Sequence, residues 1–289
     1  MALRKTFLLI GVALLAACAS APQKPGPGPA AKSGADDNLN AVAWTQTAVE
    51  HDLILRETYK VAREKLAAAL ADPSWDALPH DERDTPPKNL PPAVILDIDE
   101  TVLDNSPYQA RLVRDGGMYN EVTWAQWCRE ARAKALPGAV DFTVYAHAQG
   151  VAVFYLSNRA KDLDEVTVAN LRSVGLPVDS ADRFLGLGTV VPGCEQVGTE
   201  KGCRRRLIGE HYRVLMQFGD QIGDFVDVLA NTPAGRTAVV APYLDWFGDR
   251  WFVLPNPTYG SWEPALFNND WSLPQDKREA AKRAALRTN

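Results

Sequence analysis

Residues Ala93, Val94, Ile95 and Leu96 form an apolar, partly β-branched run that ends abruptly in two carboxylates, Asp97 and Asp99. A run of this kind, without polar alternation, predicts a strand buried on both faces of a parallel sheet. Two carboxylates at the end of such a strand are costly unless a cation or a proton accompanies them. Similar runs recur at Val151–Leu156, Arg183–Leu187, Tyr212–Phe218 and Trp251–Leu254, with helical segments expected over 162–174 and 204–211. Strands alternating with helices predict an α/β fold, a doubly wound parallel sheet. Ligands of such sheets sit at the carboxyl ends of the strands. Polar residues collect at those ends: Asp97 and Asp99 after the first strand, Ser157 and Asn158 after the second, Asp220 after the fourth.

Sixty residues separate Asp97 from Ser157, too many for one crossover helix. A helical insertion over 106–136, carrying Trp124 and Trp127, is therefore expected as part of a smaller cap. Segment 38–71 has apolar residues at helical spacing and reads as one or two helices. The six prolines of 73–92 mark a connecting loop. Segments 38–88 and 106–136 are taken together as cap elements, within one domain spanning 38–289.

At the amino end, Arg4 and Lys5 precede an apolar run from Phe7 to Leu15, the order of a secretory signal. It is too short to serve as a spanning helix. The run closes in Leu15, Ala16, Ala17 and Cys18, which resembles a lipobox, so residues 1–17 are expected to be a leader and Cys18 a lipidated terminus. The competing reading is an ordinary signal cleaved after small residues. Acylation would hold the protein on a membrane without a spanning segment, and Ala19 points to the outer membrane. Residues 18–37, rich in Pro, Gly, Ala and Lys, read as a flexible tether.

The formal charge of −5 becomes −7 once the two leader cations are removed. An acidic chain is a poor binder of nucleic-acid polymers, which demand basic surface. It remains compatible with a small phosphorylated ligand whose charge is met locally. In an oxidising compartment Cys194 and Cys203 are candidates for a short disulfide loop, leaving Cys128 as a lone thiol. The absence of a CxxC pair and the scatter of the histidines argue against a zinc site.

The cluster Asp97 to Thr101 alone is equally readable as a polar strand end capping a helix. Beyond it, the sequence resembles the haloacid dehalogenase (HAD) superfamily of phosphotransferases, whose first motif is DxDx(T/V) after a strand. Segments Asp97–Gln109, Pro137–Val140, Val153–Arg159 and Leu254–Gly260 narrow the resemblance to class C acid phosphatases, a family of lipoprotein 5′-nucleotidases. It implies Asp97 as the nucleophile forming an aspartyl phosphate. It further implies Asp99 as general acid and base, and Thr101 as a residue orienting the motif through a hydrogen bond. Glu100 is expected to be a bystander. Ser157 is expected to bond the phosphoryl group, with Asn158 and Arg159 shaping the pocket; a helix N-cap is the structural alternative for Ser157. Lys201 is the candidate for the lysine that neutralises the nucleophile, although Lys201 and Arg204–Arg206 also read as a solvated helix face.

The fourth motif, Gly219–Asp224, departs from the family wording GDNLDD at Gln221 and Gly223. The resemblance assigns Mg²⁺ to the carboxylates of Asp97 and Asp220 and the carbonyl of Asp99, with Asp224 fixing a bound water. Trp124, Trp127 and Tyr259 are candidates for an aromatic slot, or for cap packing. The resemblance implies an exported phosphomonoesterase accepting nucleoside monophosphates, and a homodimer is compatible with it. A non-catalytic, ligand-binding surface lipoprotein is the alternative from another class. A dehalogenase has no use for Asp99, and a phosphonatase has only Lys134 in the insertion to form its Schiff base.

Overall fold

The structure, a computed structural model, describes residues 38–288; the expected leader, the tether and Cys18 lie outside them. A five-stranded parallel sheet runs in the order β5-β4-β1-β6-β7, built from β1 (Pro92–Leu96), β4 (Ala152–Ala160), β5 (Phe184–Leu187), β6 (Arg213–Gly219) and β7 (Trp251–Val253). β1 is central, in register with Ala152–Tyr155 on one side and with Arg213–Phe218 on the other. The chain winds outward from β1 to β5, then returns to the other side of β1 for β6 and β7. The order thus reverses at β1 and β6, where open α/β sheets bind ligands.

Side chains on β1 alternate between two cores, as pleating requires. Val94 and Leu96 join a cluster with α2 (Val49–Ala71), α5 (Ala139–Ala148) and α6 (Asp164–Ser173). Ala93 and Ile95 join the opposite cluster, with Ile208 of α7 (Gly202–His211) and Trp251. In the first core Tyr59 and Phe252 each stack on Phe218, with ring centroids 5.4 and 5.0 Å apart. In the second, the Trp251 indole donates to the Ala77 carbonyl at 2.7 Å. Within segment 38–88, α2 is therefore part of the main core and not of a cap, while α1 (Leu39–Thr47) packs on the insertion. α2 presents Leu55, Tyr59, Ala62, Leu66 and Ala69 along one helical stripe to the sheet, and this face is buried in the main core.

The insertion is as expected helical, with α3 (Ser106–Asp115) and α4 (Glu121–Glu130). Its base is closed by two short antiparallel strands, β2 (Leu103–Asp104) and β3 (Lys134–Ala135). α3 ends at Gly116 in the left-handed region, and Asn120 caps α4 by accepting from Thr123 N at 2.9 Å. α1 (Leu39–Thr47) packs against α3. α8 (Pro233–Val240) precedes β7, and α9 (Gln275–Ala284) follows it. Among the described residues no helix is long and apolar enough to cross a membrane.

Arg204 and Arg205 do not lie on a solvated face. Both are fully buried, because helix spacing turns them toward the strand ends and only Arg206 outward. Arg205 forks onto Glu82 at 2.6 and 2.7 Å, and also donates to Asp227 at 2.7 Å. Removing one member of a buried pair strands the other charge. Glu82→Ala is expected to lower unfolding free energy by about 3–5 kcal/mol in urea denaturation; a change below about 1 kcal/mol would mean Asp227 suffices for Arg205.

Candidate active site

After Leu96 the chain stays anchored through Asp97 N, which donates to the Phe218 carbonyl at 2.9 Å, and then turns tightly. Thr101, Val102 and Leu103 all donate to the Ile98 carbonyl, and Glu100 takes a positive φ of 59°. That conformation is unusual for a side chain larger than glycine. It is held by both ends of the Glu100 carboxylate: Asn105 N donates to one oxygen at 2.7 Å, and the Tyr259 hydroxyl donates to the other. Glu100 is therefore no bystander. Burial, helped by Asp99, pushes its carboxyl up to about 8. Thr101 contributes through its backbone: its carbonyl accepts from Tyr59 Oη at 2.8 Å, while its own hydroxyl is buried without a partner.

The turn presents Asp97 to Lys201, which stands at the start of α7. The buried Lys201 ammonium donates to Asp97 Oδ1, to Asp224 Oδ1 at 2.8 Å and to the Leu156 carbonyl at 2.8 Å. Burial pulls the ammonium down, but Asp224 and Asp97 outweigh it and hold its pKa above the ordinary lysine value. Burial pushes the Asp97 carboxyl up to about 7, against the lowering effect of Lys201. The expected disulfide joins Cys194 to Cys203 and closes the loop that carries Lys201, and Cys128 is a free, buried thiol.

Asp97, Asp220 and Asp224 bring one carboxylate oxygen each within 4.8 Å of one another. Asp220 follows β6 and accepts from Asn256 Nδ2 at 2.8 Å. Burial, then Asp224 and Asp97, raise its pKa well above the usual carboxylate value. Three hard oxygen donors converging with one ammonium among them fit a divalent cation. Asp224 is fixed from behind by Gln221 N at 2.9 Å. The Gln221 side chain accepts from Ser261 N at 2.8 Å, so this departure from the family wording ties the motif to the C-terminal segment. At Gly223 a Cβ would meet nothing within 4 Å, so no packing demands the glycine.

Asp99 is held by a fork. Arg159 Nη2 and Nε donate to its Oδ1 at 2.7 and 3.0 Å, and Asn105 Nδ2 donates at 2.9 Å. Ser157 Oγ donates to Oδ2 at 3.3 Å. β4 runs on through Ala160, so Ser157 lies within the strand and caps no helix. Ser157 is fully buried and reaches the site through Asp99. Arg159, expected to shape the pocket, is also buried behind Asp99, because strand alternation turns it away from the exposed Asn158. Asn158 lines the cavity and accepts from Arg204 Nη2 at 2.7 Å.

These groups lie at one end of a cavity of about 1040 Å³, which Asp97, Asp99, Lys201, Asp220 and Asp224 all line. Trp124 and Tyr259 also line it. Trp127 does not belong to the slot: it is buried, and its indole donates to Asn105 Oδ1 at 2.8 Å. Asn105 and Asn256 were not singled out in the sequence. Both lie inside the segments that carry the family resemblance, which is the one signal that pointed to them.

The model for the HAD superfamily, subfamily IIIB (acid phosphatase), matches residues 32–262. The chain belongs to this family. The crystal structure of the class C acid phosphatase from Bacillus anthracis with tungstate bound is similar at a TM-score of 0.76 and 32% identity, over 88% of this chain and 98% of that one. Vegetative storage protein 1 of Arabidopsis thaliana is 29% identical over 169 residues, and acid phosphatase 1 of Solanum lycopersicum 26% over 165 residues. The matched segments are 57% of this chain and 54% and 57% of those two proteins, so the chain spans just over half the length of these relatives. Subfamily IIIB membership thus accounts for the strand order and the carboxylate turn, while relatives' names range from storage protein to phosphatase.

Added divalent cation is expected to raise the melting temperature of this acid phosphatase family member, by the equivalent of about 2.7 kcal/mol at a hundred times its Kd. Asp220→Asn should lose most of that rise yet melt no lower than the wild type without metal, since a repelling carboxylate is gone. An undiminished rise in the variant would place the cation elsewhere.

Proposed function

We propose that the protein is a phosphomonoesterase acting through an aspartyl phosphate on Asp97, with Mg²⁺ as cofactor and small phosphomonoesters, nucleoside 5′-monophosphates among them, as substrates. The observation that carries this reading is the buried Lys201 ammonium bonded to Asp97 at the end of the cavity, with Asp99 two residues away. A carboxylate attacking a dianionic phosphate meets charge repulsion, and a preorganised ammonium offsets it without solvent reorganisation. The similar class C acid phosphatase from Bacillus anthracis binds tungstate, a tetrahedral oxyanion, which supports an oxyanion ligand for this fold.

Asp97 and Asp220, with the Asp99 carbonyl, would hold Mg²⁺, which supplies Lewis-acid neutralisation of phosphoryl oxygens. Asp97 attacks phosphorus and the P–O bond to the leaving group breaks. Asp99 gives the leaving oxygen its proton, then takes a proton from the water that cleaves the acyl phosphate. The Arg159 fork holds Asp99 in place through both halves of the cycle. Ser157 and Asn105 keep that carboxylate aimed while the leaving group departs. Thr101 and Asn158 serve as positioning groups, and Trp124 and Tyr259 as walls for the organic part.

Export with lipidation of Cys18, and residence at the outer membrane, complete the proposal. Such an enzyme would release phosphate from nucleotides too charged to cross the inner membrane.

Phosphate release from p-nitrophenyl phosphate and nucleoside 5′-monophosphates is expected with Mg²⁺, to vanish in EDTA, and to fall about 10⁴-fold or more in Asp97→Asn. Asp99→Asn should accumulate a hydroxylamine-sensitive phosphoprotein; full turnover by Asp97→Asn would overturn the mechanism. Expressed in a bacterium fed labelled palmitate, the full chain should take up label and Cys18→Ala should not. Equal labelling of both would remove the anchor at Cys18.

A further inference from the structure

The cavity continues past the carboxylates to a wall built by the C-terminal segment. Trp262, Trp271 and residues of α9 line it, as do Tyr119 and Trp124 of the insertion. α9 lies beyond residues 32–262, the segment matched by the family model.

Three cationic side chains line the cavity: Lys201, Arg278 and Lys282. Lys201 is held by Asp97 and Asp224, and Lys282 forms an ion pair with Glu263 at 2.6 Å. Arg278 differs. Among the described residues it has no carboxylate partner: its guanidinium carbon lies 5.3 Å from the centroid of the Trp271 ring, and Nη2 donates only to the Met118 thioether at 3.9 Å. Its Nε is buried with no hydrogen-bond partner at all. The neighbouring Glu279 accepts from Gln275 Nε2 at 3.0 Å and leaves Arg278 unpaired. Native proteins satisfy nearly all buried polar groups, so an orphan on a cavity wall calls for an acceptor.

A guanidinium lying on an aromatic face with its donors unspent is a preformed receptor for a planar or tetrahedral anion. A thioether is a weak acceptor and yields readily to a charged one. The cavity is at the upper end of the size range of small-molecule sites, so it can hold more than the group being cleaved.

We propose that Arg278 is a specificity-determining residue that reads a second anionic group on the organic part of the substrate. The substrate class is then a phosphomonoester with an aromatic body and a further carboxylate or phosphate remote from the scissile one. The body lies between Trp124 and the Trp262 and Trp271 side, and the far anion meets Arg278. This assignment rests on the phosphomonoesterase reading for the orientation of the ligand.

The test is equilibrium binding by calorimetry to the full chain carrying Asp97→Asn, in excess MgCl₂, so that no turnover is needed. Two matched pairs separate the anion types: orotidine against uridine 5′-monophosphate for a carboxylate, and adenosine 3′,5′-bisphosphate against adenosine 5′-monophosphate for a phosphate. In at least one pair the doubly anionic member is expected to bind about tenfold tighter, equivalent to about 1.4 kcal/mol. Adding Arg278→Met should collapse that ratio to within about twofold of unity, and Arg278→Lys should keep part of it. Thermal melts check that each variant is folded. No preference in either pair, or equal weakening of both members by Arg278→Met, would overturn the proposal. Loss of hydrolysis in the chain retaining Asp97 would defeat the catalytic reading alone, since the binding ratio is read without turnover.

Discussion

The buried Lys201 ammonium is the interaction on which the site depends. It joins three strands, bonded to Asp97 after β1, to the Leu156 carbonyl within β4 and to Asp224 after β6. Without it, carboxylates from two neighbouring strands would face one another in a largely buried region, where like charges cannot all remain ionised. With it, the carboxylates need only one further cation. The same ammonium that makes the strand ends compatible with a folded chain makes the cavity receptive to an oxyanion. Stability and chemistry draw on one group here.

Around this centre, side chains of little chemical distinction set direction. Asn105 donates its backbone N–H to Glu100 and its amide to Asp99, while its carbonyl oxygen accepts from Trp127. Arg159 and Ser157 complete the cradle of Asp99 from β4. Glu100 links the turn after β1 to Tyr259, 159 residues further along the chain. The insertion, the sheet and the C-terminal segment are thereby joined at a single turn. One relative named as a storage protein and one named as an acid phosphatase are similar to this chain.

Much of this was legible in the chain before any coordinates. Apolar runs closed by polar residues located all five strands of the main sheet to within a few residues, because a strand buried on both faces has no polar alternation to obscure it. The carboxylates, Lys201 and the cysteine pair were also visible. Misreadings share one cause. Segment 38–88 was read as cap, yet α2 covers the sheet. A solvated helix face was one reading for Arg204 and Arg205, yet they are buried. Arg159 was assigned to the pocket, and Trp127 was open between an aromatic slot and packing; both stand behind the cavity. In each case the residue type and the element were right, and the partner was not.

The sequence by itself determined the α/β class, the strands, the position of the acidic turns and the family, because these rest on local pattern and on motifs whose order along the chain is preserved. Only the tertiary structure decided which charge meets which. The fork of Arg159 on Asp99, the Glu100 to Tyr259 bond, the Glu82 to Arg205 pair and the unpaired Arg278 all join residues distant in the chain or depend on which way a side chain turns. Burial makes an ionic group select a partner from whatever the fold brings within about 3 Å. Spacing along the chain carries no record of that choice.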